Sequence, residues 1–310
     1  MTDLHTKILA ADKDGFSNAA TVLRIGGLVA FPTETVYGLG ADATNDRAVA
    51  QVFAAKGRPS FNPLIVHVAH LAAAREIARF DDTALRLAKA FWPGPLTLVL
   101  PLRKDHKIAP LVSAGLDTIA LRVPAHRTAQ GILTAFGRPI AAPSANPSGQ
   151  ISPTCAAHVA AGLSGKIDAI VDGGTCDVGL ESTIVGGEPL ALLRPGGLSI
   201  EDIEKLVGPL AQAGQSITAP GQLASHYAPK ATVRLNATRA HPGELLLGFG
   251  SMDSDLNLSM KGDLTEAAAN LFGHLHQLDA TGRPIAVAKI PDVGLGRAIN
   301  DRLRRAAAPR

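Results

Sequence analysis

Cysteine is scarce in this chain, with only Cys155 and Cys176 among 310 residues, and they do not form a Cys-x-x-Cys pair. That excludes a disulfide scaffold and leads us to expect a reduced, cytoplasmic setting. Aromatic residues make up 4%, so the core has to be assembled from Ala, Val, Leu and Ile. No apolar run approaches the roughly 18 residues of a membrane span. The start Met1-Thr2-Asp3-Leu4-His5 lacks the apolar stretch of a secretion signal, so a soluble, unexported protein is expected. Neither charge sign dominates: 30 Lys+Arg against 27 Asp+Glu give a formal net charge of +3, too weak to mark a nucleic-acid binder. The basic run Arg302-Leu303-Arg304-Arg305 is expected to be a solvated helix face. A Gly-x-x-x-x-Gly-Lys-Ser/Thr loop is also absent, and Gly294-Leu295-Gly296 is better taken as a turn before a helix. A nucleotide, if one binds, must be gripped by separate side chains.

A hydrophobic fraction of 46% is ample for a packed core in one large or two medium domains. Leu28-Val29-Ala30-Phe31 predicts a short buried strand stopping at Pro32, which leaves Thr33-Glu34-Thr35 at a strand end facing a cleft. A helix over 48–55 delivers Lys56 and Arg58 into the loop that follows. Further strands are expected over 64–68, 96–100, 118–123, 168–172, 182–185 and 190–194, with helices over 17–25, 83–91 and 128–136 between them. The pattern predicts an open, twisted, mixed α/β sheet with polar residues gathered at strand ends. Residues 208–230, rich in Gln, Ala, Gly, Ser and Pro, have the composition of a linker. Alternating strands and helices over 231–310 then suggest a small αβα domain.

Within this frame the chemistry concentrates in two segments. Lys56-Gly57-Arg58 sets two cations one residue apart before a Pro-Ser-Phe-Asn-Pro loop, a fork suited to a polyanion, although cations also favour helix C-termini for their own sake. Ser144-Ala145-Asn146 repeats the spacing with neutral donors in a loop too rich in Pro and Gly to be helix; such residues equally build Asx and Ser turns. Together they suggest a phosphate site.

These segments, with Pro32 to Thr35, Val36-Tyr37-Gly38-Leu39, Asn62-Pro63-Leu64 leading to His67, Glu181-Ser182-Thr183, Leu193-Arg194-Pro195-Gly196 and Ser225-His226-Tyr227-Ala228-Pro229-Lys230, stand in the order found in YrdC-type threonylcarbamoyl-adenylate synthases. The chain resembles the long, two-domain form of that family over nearly its whole length. The resemblance implies a catalytic domain over 16–207, a lid-forming linker over 208–230 and a small domain over 231–310. It implies that L-threonine, bicarbonate or CO2, and ATP are joined into L-threonylcarbamoyl-adenylate with release of pyrophosphate, Mg2+ accompanying the ATP. By the same resemblance, Lys56 and Arg58 are catalytic. Thr35, His67, Arg122, Ala142 and Ser182 line the threonine pocket. Arg58, Asn62, Thr118, Ser144, Asn146, Ser152, Arg194 and Tyr227 hold the nucleotide. No protein metal ligand is implied.

Arg122 suits a carboxylate because guanidinium and carboxylate match in two-pronged geometry. His67 could equally be a satisfied core histidine, Tyr227 a pin for the linker, and Glu34 and Glu181 ion-pair partners of nearby cations. The adenylate would serve a separate transferase complex that modifies the adenosine beside the anticodon in tRNA, with weak or no direct tRNA binding by this chain. Two other classes stay open: a non-catalytic RNA-binding module with a concave basic face, and a carbamoyl-transferring enzyme sharing only this domain, which would normally carry zinc-finger cysteines.

Overall fold

The computed structural model describes residues 4–212 and 226–309. An eleven-stranded mixed sheet runs in the spatial order Lys7–Ala10, Ala169–Asp172, Val29–Pro32, Tyr37–Asp42, Ile140–Ala141, Ile65–His67, Thr118–Arg122, Leu96–Pro101, Thr183–Gly186, Ala191–Arg194 and Ala211–Gln212. A second sheet of four parallel strands, Val233–Ala237, Ile285–Ala288, Leu245–Gly248 and Leu256–Asn257, belongs to the C-terminal unit. Fold class is as expected. Ser225 and most of the linker over 208–230 lie outside the described residues, and within that span Ala211–Gln212 adds an edge strand to the large sheet. Among the described residues no helix is long and apolar enough to cross a membrane.

Side chains alternate across the large sheet, as strand geometry requires. Ala30, Leu39, Ala41, Val66, Leu98 and Leu121 face one side, where they pack with Val49, Val52 and Leu87. Val29, Phe31, Ile140 and Val171 face the other, beneath the helices Lys13–Arg24 and Arg127–Phe136. Those two helices cover only part of that second side. Further along it Ile65, Ala120 and Ile184 form a smaller apolar patch, and this part of the sheet becomes the floor of a cleft.

The strand Tyr37–Asp42 was not anticipated, since Gly38 and Gly40 are poor strand formers. The packing explains them. A Cβ on Gly40 would lie 2.7 Å from the Phe31 ring and 2.9 Å from Ile140, closer than side chains approach. The helix Asp46–Lys56 is capped at its start by the Asn45 side chain and stopped by Gly57 in the left-handed region, φ 61°. That turn sends Arg58 off the helix axis toward the cleft.

In the C-terminal unit, Leu245, Leu247, Ile285 and Val287 share a core with Leu271, Phe272 and Leu275 of the helix Leu264–Asp279 and Ile299 and Leu303 of the helix Leu295–Ala306. The same core takes in Val36, Ile151, Leu180 and Tyr227. The two units therefore share an apolar interface. The basic run at 302–305 departs from the solvated face expected: Arg302 is 0% exposed, because the helix turns it inward against a carboxylate of the large unit.

Gly40→Ala is expected to lower unfolding stability by about 1–3 kcal/mol, the usual cost of overpacking a tight core. Denaturant titration measures it, and a loss below about 0.5 kcal/mol, the scatter of surface substitutions, would contradict the close contact.

Candidate active site

Sheet register assembles the cleft. Ile65 pairs with Ala120 and His67 with Arg122 on parallel neighbours, and His67 also faces Ile140, so histidine and guanidinium emerge side by side at the strand ends. Beyond Pro32 the chain turns through Thr33, whose hydroxyl oxygen accepts from the backbone N–H groups of Thr35 (3.2 Å) and Val36 (3.3 Å). This Ser/Thr-type turn points Thr35 into the cleft. Arg122 donates from Nη1 to Thr35 Oγ1 (2.8 Å), from Nη2 to Glu34 Oε1 (2.6 Å) and from Nε to the Gly94 carbonyl (3.2 Å). Burial by itself would raise the Glu34 carboxyl, but the Arg122 charge and hydrogen bond outweigh it and hold it below the usual range. Glu34 is thus an ionised orienting partner and no general base. Of the five donors of a guanidinium, Arg122 retains two for a ligand.

His67 is almost fully buried, packs edge-on to Phe31 with ring centroids 6.4 Å apart, and leaves Nδ1 without a partner among the described residues. Burial, then the Arg122 charge, pushes its proton affinity down to about 3. It is a neutral imidazole at physiological pH. Ser182 Oγ lies 2.7 Å from Thr97 Oγ1 and accepts from Arg194 Nη2 at 3.2 Å.

The opposite wall is cationic. Arg58 donates to the backbone carbonyls of Asn62 (3.2 Å) and Pro63 (3.0 Å), and burial pushes it down to about 10. Lys56, buried, donates to the carbonyls of Ser144 (2.5 Å) and Asn146, and burial, aided by the Arg58 charge, lowers it strongly. Burial also lowers Arg194, which donates to the Ser182 carbonyl at 2.8 Å. Cations whose protonation is disfavoured in this way gain from an incoming anion.

A second carboxylate borders the cleft. Glu181 accepts from Ser152 Oγ (2.5 Å) and from Arg302 Nε (2.9 Å). Burial acts to raise it, and Arg302, Arg194 and the Ser152 hydroxyl overcome that and keep it low. Over this pair lies Tyr227, 1% exposed, with backbone φ 62° in the left-handed region that tyrosine seldom occupies. It is held there by its neighbours: Phe272 at 5.7 Å between centroids, the Arg302 guanidinium at 5.2 Å from the ring centre, and the next residue, Ala228, bonded from its N–H to the Gly149 carbonyl at 2.8 Å.

Nine of the residues singled out from the sequence line this one cleft: Thr35, His67, Arg122, Ala142, Ser182, Arg58, Ser144, Arg194 and Tyr227. Five others are not among its lining residues. Lys56 braces the Ser144–Asn146 loop from beneath rather than presenting a mobile charge. Asn146 itself donates to the carbonyls of Pro147 (2.9 Å) and Gln150 (2.8 Å). Ser152 is taken up by Glu181. Asn62 is buried with Oδ1 unpartnered among the described residues. Thr118 begins the strand that ends at Arg122, about 13 Å away at strand rise, on the same side of the sheet. Sequence reasoning gave no ligand-binding role to Thr33, His226 or Arg302. Thr33 and His226 stood inside recognised runs; Arg302 stood in a basic run expected to be solvated, and only its contact with Glu181 brings it to the site.

Two family profiles cover the chain. One, for the Sua5/YciO/YrdC group and described as telomere recombination, matches residues 21–196. The chain belongs to this family. The other profile, described as the threonylcarbamoyl-AMP synthase C-terminal domain, matches residues 198–308. Threonylcarbamoyl-AMP synthase of Pyrococcus abyssi is 44% identical over an alignment covering 94% of each chain. The Bacillus subtilis protein of the same name is 39% identical, with 98% of this chain and 96% of that one covered. The crystal structure of P. abyssi Sua5 complexed with L-threonine superposes with a TM-score of 0.90 at 40% identity, covering 97% of this chain and 98% of that one. The family relationship therefore spans both units.

The histidines of this Sua5-family cleft generate a pH prediction. Burial lowers His67 and His226 each to about 3, against an unfolded value of about 6.5. The unfolded chain binds protons that the folded chain refuses, so stability is intact above about pH 6.5 and falls progressively below it, toward about pH 3. The melting temperature is expected to drop between about pH 7 and pH 5, and His67→Gln is expected to flatten that slope. An unchanged slope in the folded variant would show that His67 titrates normally.

Proposed function

We propose that the chain synthesises L-threonylcarbamoyl-adenylate from L-threonine, bicarbonate or CO2, and ATP, with release of pyrophosphate. One observation carries the reading: a pocket of hydroxyls around the Glu34-paired Arg122 adjoins two cations, buried Lys56 and half-buried Arg58, whose described hydrogen bonds go only to backbone carbonyls. The first half suits a zwitterionic amino acid with a hydroxyl, the second a polyphosphate. The family and the naming of its full-length relatives support this assignment.

In the proposed reaction the two free donors of Arg122 take the threonine carboxylate, and Thr35 and Ser182 meet its hydroxyl and amine. The threonine ammonium gives one proton to bicarbonate, which becomes CO2 and water; the amine nitrogen then bonds to the CO2 carbon and sheds a second proton to water, leaving an N-carboxylate. A carboxylate oxygen then bonds to the α-phosphorus of ATP while the bond to the bridging oxygen breaks, the electron pair leaving with pyrophosphate. The chain's residues supply position and positive charge, which suffices for a loose phosphoryl-type transition state. Neutral His67 can hydrogen-bond without adding charge. Among the described residues no group of three His, Cys, Asp or Glu side chains could hold a metal ion. Mg2+ is proposed to enter on the ATP oxygens and water as part of the substrate. The adenylate is proposed to pass to a separate transferase for tRNA modification. Burial of Arg302 and pairing of Arg305 with Asp301 at 3.0 Å leave little of a basic RNA-binding face at the C-terminal helix.

A pyrophosphate-release assay with each substrate omitted in turn tests the reading: release is expected only when threonine, bicarbonate and ATP are all present. A binding module would release none and would instead bind RNA with steep salt dependence. Arg58→Ala is expected to lower the rate about 10²- to 10³-fold, the usual effect of removing one charged donor; wild-type turnover in the folded variant would remove Arg58 from the chemistry. Calorimetry with threonine, serine and 2-aminobutyrate should rank the last at least about tenfold weaker than threonine, because a site built to bond a hydroxyl rejects its absence. Equal affinity for all three would rule out the hydroxyl pocket.

A further inference from the structure

Arg302 belongs to the C-terminal unit, yet its side chain ends in the wall of the cleft formed by the large one. The guanidinium is wholly buried. Besides Glu181, it meets the Pro195 carbonyl at 2.7 Å and Asp301 at 2.9 Å, both through Nη1, and it lies over the Tyr227 ring. Asp301 is shared with Arg305 Nε at 3.0 Å. The four charges thus fall into two neutral pairs, with Glu181 answered by Arg302. Burial acts to weaken Arg302's hold on its proton, but Tyr227, Glu181 and Asp301 outweigh it and raise that hold.

The consequence concerns Glu181, not Arg302. Glu181 lines the cleft beside Ser182 and Arg194, on the wall carrying Tyr227. An ionised carboxylate in a dry wall repels any phosphate brought near it, and the repulsion is felt over several ångströms where water is excluded. We propose that Arg302 is a positioning residue for the nucleotide: through it the C-terminal unit cancels the Glu181 charge and seats Tyr227, so that the cleft accepts a triphosphate. The proposal rests on the reading of the cleft given above. It assigns the small domain a part in substrate binding, exerted from behind the wall without contact to threonine, whose proposed partners Arg122, Thr35 and Ser182 are all carried by the large unit.

Calorimetry of the full-length chain with Mg-ATP and, separately, with L-threonine tests it in wild type, Arg302→Met, Arg302→Lys and the double variant Arg302→Met/Glu181→Gln, with thermal unfolding alongside. Arg302→Met is expected to weaken ATP binding about tenfold or more, as when one partner of a buried charge pair is removed, and to leave threonine affinity within about twofold. The double variant, which buries neither charge, is expected to recover most of the lost ATP affinity. Arg302→Lys keeps the charge and should lose less than Arg302→Met. Should Arg302→Met not fold, the lysine and double variants decide, since both retain a balanced wall. Equal losses for ATP and threonine, unchanged ATP affinity in Arg302→Met, a double variant as weak as the single, or failure of every variant to fold would each overturn the proposal. A wild-type chain that binds no ATP would overturn the reading of the cleft as well, which separates the two failures.

Discussion

Charge carried into a dry cleft has to be answered nearby, and in this protein two carboxylates and their arginines organise much of what surrounds them. Glu34 holds Arg122 in place at the strand ends, and Glu181 is held by Arg302 from the other unit. Leaving either partner alone in such surroundings costs far more than the pair contributes to stability. The pairs are therefore better understood as devices of position than of stability. One aims a guanidinium across the sheet; the other ties a helix of the small unit to the wall of the large one.

Against these neutral pairs the remaining cations stand out. Lys56 is as deeply placed as the paired arginines and Arg58 is half-buried, but their described bonds run to backbone carbonyls, which orient them without cancelling their charge. The cleft thus divides electrostatically into a balanced half and a positive half. Such a division fits the union of a zwitterion with a polyanion, and it uses no strong base: Glu34 and Glu181 are held ionised by arginines, and His67 is held neutral by burial.

The fold creates this site by leaving part of one sheet face without helices. Lys13–Arg24 and Arg127–Phe136 pack beneath Val29, Phe31 and Ile140, while the patch of Ile65, Ala120 and Ile184 faces the cleft. The C-terminal unit closes the side, its core merging with Val36, Leu180 and Tyr227. A tyrosine in a left-handed backbone conformation is costly, and its position in the cleft wall fits a segment over-determined by its neighbours.

Much of this was legible in the chain itself. Short apolar runs ending at Pro32, Val68 and Arg194 marked strands, because alternation and turn residues are local properties. Lys56-x-Arg58 and Ser144-x-Asn146 suggested an anion site, and of these Arg58 and Ser144 line the cleft. Other features were hidden. Tyr37–Asp42 was missed as a strand because its glycines answer to Phe31 and Ile140, which are brought close only by the sheet. Lys56 sits under the Ser144 loop, 88 positions away in sequence, and Arg302 reaches Glu181 across 121. Residue types and local order were determined by the sequence alone. Which charges meet, which carboxylate is silenced and which cation is left for a ligand were decided only by tertiary packing, since pairing of buried charge depends on distance in space and not along the chain.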